Sequence, residues 1–178
     1  MKKHATSGKA KGFTLIEMTI ALGMTLGIAS TIVGILQQQV AFIGLVSRFQ
    51  FLRDEAPMID SLLTTIINKA DSYRIYGNIG NAKAGSGAVQ EDGRALRLRF
   101  RNPDGTVSNA IISFENQAGK NRLNFYLQPQ GQTSWPTTPS WTISSRPTLV
   151  DFSNTSGILL IAMTGPNGEQ ITYAGNPD

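Results

Sequence analysis

Few residues in this chain could do chemistry, and the first of them is a carboxylate placed among apolar side chains. Glu17 is the one charged residue between Phe13 and Leu36, a run of 24 residues. At about 1.5 Å of rise per residue the run makes a helix roughly 36 Å long, enough to cross a hydrocarbon core of about 30 Å. A carboxylate at mid-bilayer costs roughly 2.5 to 3.5 kcal/mol on insertion scales and less near an interface, so Glu17 needs a partner or a route to the headgroups. Enzymatic chemistry finds no comparable set of residues. The one histidine is His4, there is no cysteine, and neither Gly-x-Ser-x-Gly nor a phosphate loop occurs. The acidic neighbours Asp54-Glu55 and Glu91-Asp92 are not spaced for acid–base work. Asp92, Asp104, Asp151 and Asp178 fit no calcium-loop spacing, and a chain without cysteine has no disulfide and no thiolate metal site. The expectation is a protein that is not an enzyme, with no catalytic residue, no cofactor and no metal.

The residues around Glu17 narrow its role. Lys11-Gly12-Phe13-Thr14-Leu15-Ile16-Glu17 follows a basic segment and opens the apolar run, and the stretch resembles the class III leader of prepilin-type proteins, the type IV pilins and the pseudopilins of type II secretion. The features that carry the resemblance are Gly12 before the cut, aromatic Phe13 after it, and an acidic residue fifth in the mature chain. The resemblance implies cleavage between Gly12 and Phe13 by a prepilin peptidase/methyltransferase, and N-methylation at Phe13. Cleavage would give Phe13 an α-amine with a reference pKa of about 7.7 to 8.0, for which Glu17 of a neighbouring subunit is the natural counter-ion. At an effective dielectric near 20 and about 4 Å separation, that pair attracts by on the order of 4 kcal/mol before desolvation is subtracted.

Charge supports the same orientation. The net charge of +4 is the sum of Lys2, Lys3, Lys9 and Lys11; the rest of the chain has twelve basic and twelve acidic residues. The other flank of the apolar run carries no charge until Arg48, so the positive-inside rule keeps the N-terminus cytoplasmic. The expected location is the inner membrane, single-pass, with the C-terminal part periplasmic or extracellular, and then a filament. A secretory signal peptide fits less well: its apolar core spans about 7 to 15 residues with a small-residue cleavage site beyond it, and here Ala29-Ser30 falls inside a longer core. An uncleaved signal anchor accounts for the lysines and the length but leaves Gly12, Phe13 and Glu17 without a reason.

The elements that must position these residues follow in order: a basic leader over 1–12, a transmembrane and assembly helix over 13–36, and an amphipathic continuation of that helix over 37–76. Phe42, Leu45, Phe49, Leu52, Ala56, Ile59, Leu63, Ile66, Ala70 and Tyr73 alternate three and four apart, one apolar stripe on a long helix. Leu52, Ile59, Leu63 and Ile66 are the expected seam against a sheet. Pro57 removes a backbone donor inside the pattern and predicts a kink or a restart at Asp54–Pro57; because the stripe keeps its phase across it, a kink is favoured. Residues 77–93 read as a Gly-rich loop. Residues 94–178 read as an antiparallel sheet of about four to seven strands, with turns at Asn102-Pro103-Asp104-Gly105, Gln117-Ala118-Gly119-Lys120 and Gly165-Pro166-Asn167-Gly168. The fold class is α+β, and a long helix whose outer half packs on a sheet is also what the resemblance implies.

Arg94, Arg97, Arg99 and Arg101 read as a solvated strand face with edge-protecting charge, so nucleic acid is not the expected partner. Trp135 and Trp141 read as a satellite core under a Pro-rich loop. The expected function is a prepilin-type structural subunit assembled by helix packing into a type IV pilus or type II secretion pseudopilus. Its partners are other pilin or pseudopilin subunits, the peptidase/methyltransferase, inner-membrane assembly machinery and the membrane itself. Arg53-Asp54 and Ser72-Tyr73-Arg74-Ile75 are similar to J-type minor pseudopilins and PilW-like minor pilins, and Gly34 stands near where many major pilins carry a helix-breaking proline. The alternative is a membrane-anchored β-domain binding module, recognising a ligand or DNA, with a pilin-like anchor.

Overall fold

The computed structural model describes residues 12–175; the leader lysines, His4 and Asp178 lie outside the described residues. The chain divides into two units at Ser47/Arg48. The first is the helix α1, Leu15–Arg48. The second is an α+β unit with a helix on antiparallel sheets.

The second unit opens with a single π-helical turn, Phe51–Glu55, followed by α2, Ala56–Ile67. Pro57 is the physical cause. It has no N–H for the carbonyl of Arg53 and its ring crowds that carbonyl. The Ala56 amide bonds instead to the Phe51 carbonyl, five residues back, and α2 restarts with proline in its first turn. The helix runs on through the π-turn, and of the expected stripe Ala56, Ile59, Leu63 and Ala70 keep their buried places; the slip of one residue lies upstream, at Phe51. Phe51, Ala56, Ile59, Leu63, Ile67 and Ala70 are buried, whereas Leu52 and Ile66 are half-buried at the margin of the seam. Phe51 seats where the turn at Gly165–Gly168 comes close: a Cβ on Gly165 would lie 2.6 Å from Phe51 Cδ1.

The helix does not continue to residue 76. It ends at Ile67, and Ser72–Tyr76 is the strand β1. Ala70 and Tyr73 fit the helical period, but Tyr73 and Ile75 equally fit period 2, and aromatic and β-branched side chains favour a strand once pairing is available. The pairing is to β3, Ala95–Arg101, with Ile75 opposite Leu96. The segment 77–93 is not wholly loop either. It holds α3, Ile79–Ala84, begun by the Asn78 side chain accepting the Asn81 amide at 2.9 Å and ended by Gly85 at φ +72°, and β2, Ala88–Val89.

The remaining strands are β4 Val107–Gln117, β5 Lys120–Leu127, β6 Trp141–Ser144, β7 Leu149–Thr155, β8 Ile158–Thr164 and β9 Gln170–Gly175. They form two sheets, β2-β1-β3-β4-β5-β6 and β7-β8-β9, both antiparallel. The main core joins α2 to the inner faces of both sheets through residues such as Leu63, Leu96, Leu98, Ile112, Phe152 and Ile161. A smaller cluster on the outer face of the six-stranded sheet gathers Tyr76, Ala82, Ala95, Ile111 and Tyr126 under Trp135. Trp141 instead packs on Phe125, ring centroids 5.3 Å apart.

β3 is an interior strand with β1 on one side and β4 on the other, so edge protection does not explain its arginines. They are not uniformly solvated either. Arg94 pairs with Asp151 at 3.1 Å and Arg101 with Asp71 at 3.6 Å. Arg97 is half-buried: its guanidinium donates to the Ala82 carbonyl at 3.2 Å and lies 5.4 Å from the Trp135 ring centre.

Candidate assembly site at the head of the apolar helix

The sequence Thr14-Leu15-Ile16-Glu17 builds the start of α1. Thr14 Oγ1 accepts the Glu17 amide at 3.3 Å, and Glu17 Oε2 reaches back to accept the Thr14 amide at 2.9 Å and the Thr14 hydroxyl at 3.0 Å. This reciprocal arrangement is a capping box, which satisfies donors that the first helical turn otherwise leaves open. Its carboxylate also lies at the positive end of the helix dipole. Thr14 is the functional residue that the sequence reading passed over, although Thr-x-x-Glu ahead of an apolar run is the sequence form of this cap.

Gly12 and Phe13 precede the helix, and Phe13 is 82% exposed. A Cβ at Gly12 would meet nothing within 4 Å, and its backbone is outside the left-handed region, so neither packing nor backbone conformation here demands glycine. The glycine therefore has no structural reason of its own within the described residues.

Along α1 three threonine hydroxyls bond back to the helix backbone. Thr19 donates to the Ile16 carbonyl, Thr25 to Ala21 and Thr31 to Gly27, at 2.8 to 2.9 Å. These three hydroxyls are thus satisfied within the helix, as an element surrounded by hydrocarbon requires. Leu15, Met18, Leu22, Leu26, Ile32 and Leu36 of this helix are all exposed. Phe42, Leu45 and Phe49, the first part of the expected stripe, are exposed as well, while Ile59 and Leu63 are buried. The stripe therefore serves two different surfaces. The helix is long and apolar enough to cross a membrane. Among the described residues no group of His, Asp and Glu side chains is arranged to hold a metal.

Against protein-family models, curated proteins and solved structures, the chain has no match.

Proposed function

We propose that this chain is a prepilin-type structural subunit, a minor pilin or minor pseudopilin, processed between Gly12 and Phe13 and assembled through α1 into a type IV pilus or type II secretion pseudopilus. The observation that carries the reading is the helix itself: long, apolar and exposed along its length, and headed by Gly12, Phe13 and a capped Glu17. A membrane buries such a surface before assembly, and neighbouring helices bury it afterwards. In the capping box Oε2 of Glu17 takes both bonds from Thr14. Oε1 faces no donor of the helix head and is the atom through which a neighbour's Phe13 amine would pair.

The test is Glu17→Gln. The amide keeps an oxygen for the Thr14 cap but loses the charge, so membrane insertion and processing are expected to be unchanged while the amount recovered in sheared filaments falls at least tenfold. Equal recovery of Glu17→Gln and the native protein in filaments would sink the counter-ion role. The competing reading, a membrane-anchored binding module, rests on the groove lined by Ser72, Arg74, Arg97, Arg99 and Asn109 on the outer sheet face. It requires the protein to stay in the membrane fraction whatever stands at residue 17.

A further inference from the structure

Four arginines of the second unit are neutralised by acids of the same unit. Arg53, Arg94, Arg101 and Arg146 pair with Asp54, Asp151, Asp71 and Glu55, at 2.7 to 3.6 Å. The arginines where β1 meets the middle of β3 are not. Arg74 stands directly opposite Arg97 in the register, and Arg99 lies two positions further along β3 on the same outer face. Like charges directly opposite destabilise a strand pair. Yet Arg74 and Arg99 are exposed, and the side chain of neither has a partner among the described residues. Arg101, the next on that face, has Asp71, so the uncompensated charge is confined to one patch.

The patch has a fixed centre. Arg97 is half-buried, its guanidinium donating to the Ala82 carbonyl at 3.2 Å beside the Trp135 ring. Gly85 supplies the room: a Cβ there would lie 2.8 Å from Arg97 Nη1, and its φ of +72° is a conformation that glycine adopts without strain. Arg74, Arg97 and Arg99, with Ser72 and Asn109, line a groove of about 400 Å³. A held guanidinium flanked by two unpaired ones suits forked pairing with carboxylates. Arg97 and Arg99 are about 7 Å apart along the strand, the step that also separates alternate side chains of any extended segment. An extended peptide with acidic residues at alternate positions therefore meets them in step, with Arg74 flanking it from β1.

Two free acids stand beside the groove. The β1–β2 register, continued past Ile75 and Val89, sets Gln90 opposite Arg74, and these two line one small pocket. Glu91 and Asp92 follow, both exposed, and neither forms an ion pair. Outside the leader the chain carries equal basic and acidic charge. A long polyphosphate draws its affinity from many cationic contacts and a net basic field; this chain offers neither, and Glu91 and Asp92 repel it. A short acidic segment needs only the groove. We propose that the Arg74–Arg97–Arg99 groove seats an extended acidic segment, with carboxylates at alternate positions, of a different subunit beside this one in the filament. That the neighbour is a different subunit rests on the minor-subunit reading; the carboxylate chemistry of the groove does not.

The site is tested with the full-length chain in non-ionic detergent and fluorescein-labelled peptides of threonine alternating with glutamate, glutamine or lysine. The glutamate peptide is expected to bind at least tenfold more tightly than the glutamine peptide. Arg74→Glu/Arg99→Glu is expected to lose that preference and to bind the lysine peptide instead, a reversal that a misfolded protein does not give. Arg53→Glu/Lys120→Glu makes the same change of net charge outside the groove and is expected to bind the glutamate peptide as the native chain does. Equal binding of the glutamate and glutamine peptides, or equal loss in both double variants, overturns the site. So does an oligothymidylate that displaces the labelled peptide at a lower concentration than unlabelled glutamate peptide, which assigns the groove to a nucleic-acid backbone. The partner is tested in cells. The native chain has no cysteine, so Ser72→Cys at the groove takes a maleimide-benzophenone, and the peptide that it captures on illumination is sequenced. The expected product is a segment of another prepilin-type subunit with acidic residues at alternate positions, recovered in sheared filaments and lost in Arg74→Glu/Arg99→Glu. Capture of a second copy of this chain, of a segment without such acids, or of nothing overturns the proposal. The expected product confined to the membrane fraction supports the contact while overturning the filament reading, so the two fail separately.

Discussion

At the scale of single residues, the head of α1 shows one side chain with an observed task, the cap, and a proposed one. Glu17 closes the helix start through Thr14, and in the proposed function its second oxygen would pair with the amine that processing creates. The buried phenols illustrate a different kind of residue-scale control. Burial, and then the Glu115 carboxylate accepting its hydroxyl at 3.0 Å, pushes Tyr126 up to about 12. Burial, and then the charge of Asp60, pushes Tyr173 up to about 12, its hydroxyl donating to the Ala56 carbonyl at 2.8 Å. A raised folded-state pKa means that the neutral phenol is bound more tightly when folded. Its stabilisation is complete below the ordinary value of 10 and is lost as pH rises from there to about 12. Ultraviolet titration is expected to show these two phenols ionising near 12 and together with unfolding, and Tyr126→Phe and Tyr173→Phe should each remove one such step. Ionisation of both near pH 10 in a still-folded protein would contradict the burial argument.

At the scale of elements, the π-turn decides which side chains form the core. The five-residue step from Phe51 to Ala56 puts Phe51 rather than Leu52 in the core, while further along α2 Ile67 rather than Ile66 completes the row with Ile59 and Leu63. Leu63→Ala and Ile67→Ala in a fragment covering residues 48–178 are therefore expected to cost about 2 to 5 kcal/mol each, and Ile66→Ala about 1 kcal/mol, in urea denaturation. An Ile66→Ala cost equal to that of Ile67→Ala would place the seam where the uninterrupted period puts it. That contrast also explains what the sequence could reveal. Apolar periodicity located the membrane-length helix, the α2 stripe and the α+β class, since each rests on many side chains agreeing. It could not register a one-residue insertion, whose cause is a single missing N–H at Pro57. Nor could it separate helix from strand at Tyr73 and Ile75, where two periods share positions and long-range pairing to β3 decides. The Asn78 and Gly85 caps of α3 and the Thr14–Glu17 box were present as short patterns; they were legible locally but small beside the surrounding glycines and the apolar run. The groove was not legible, because Arg74 and Arg97 meet only through strand pairing.

At the scale of the whole molecule, the proposed maturation changes charge and exposure together. All of the net charge of +4 comes from the leader lysines, and the isoelectric point of the full chain is about 9.6. Removal of residues 1–12 leaves equal numbers of basic and acidic side chains, so the product is expected to focus near neutrality. A positive leader suits retention of the N-terminus on the cytoplasmic side, whereas a chain of balanced charge suits close packing with other subunits, since self-repulsion is minimal. The two requirements conflict in one polypeptide, and the proposed cleavage would separate them in time. Intact mass from a strain carrying a prepilin peptidase is expected to correspond to a chain beginning at Phe13 and one methyl group heavier, with the shift in isoelectric point appearing in the same fraction. Gly12→Leu, which nothing within 4 Å would obstruct in the folded chain, is expected to leave the fold and the basic precursor intact while blocking the shift. A peptidase-competent cell that yields chains starting at Met1 or near Thr31, or that processes Gly12→Leu as efficiently as the native protein, would remove the basis for both the maturation and the role of Glu17.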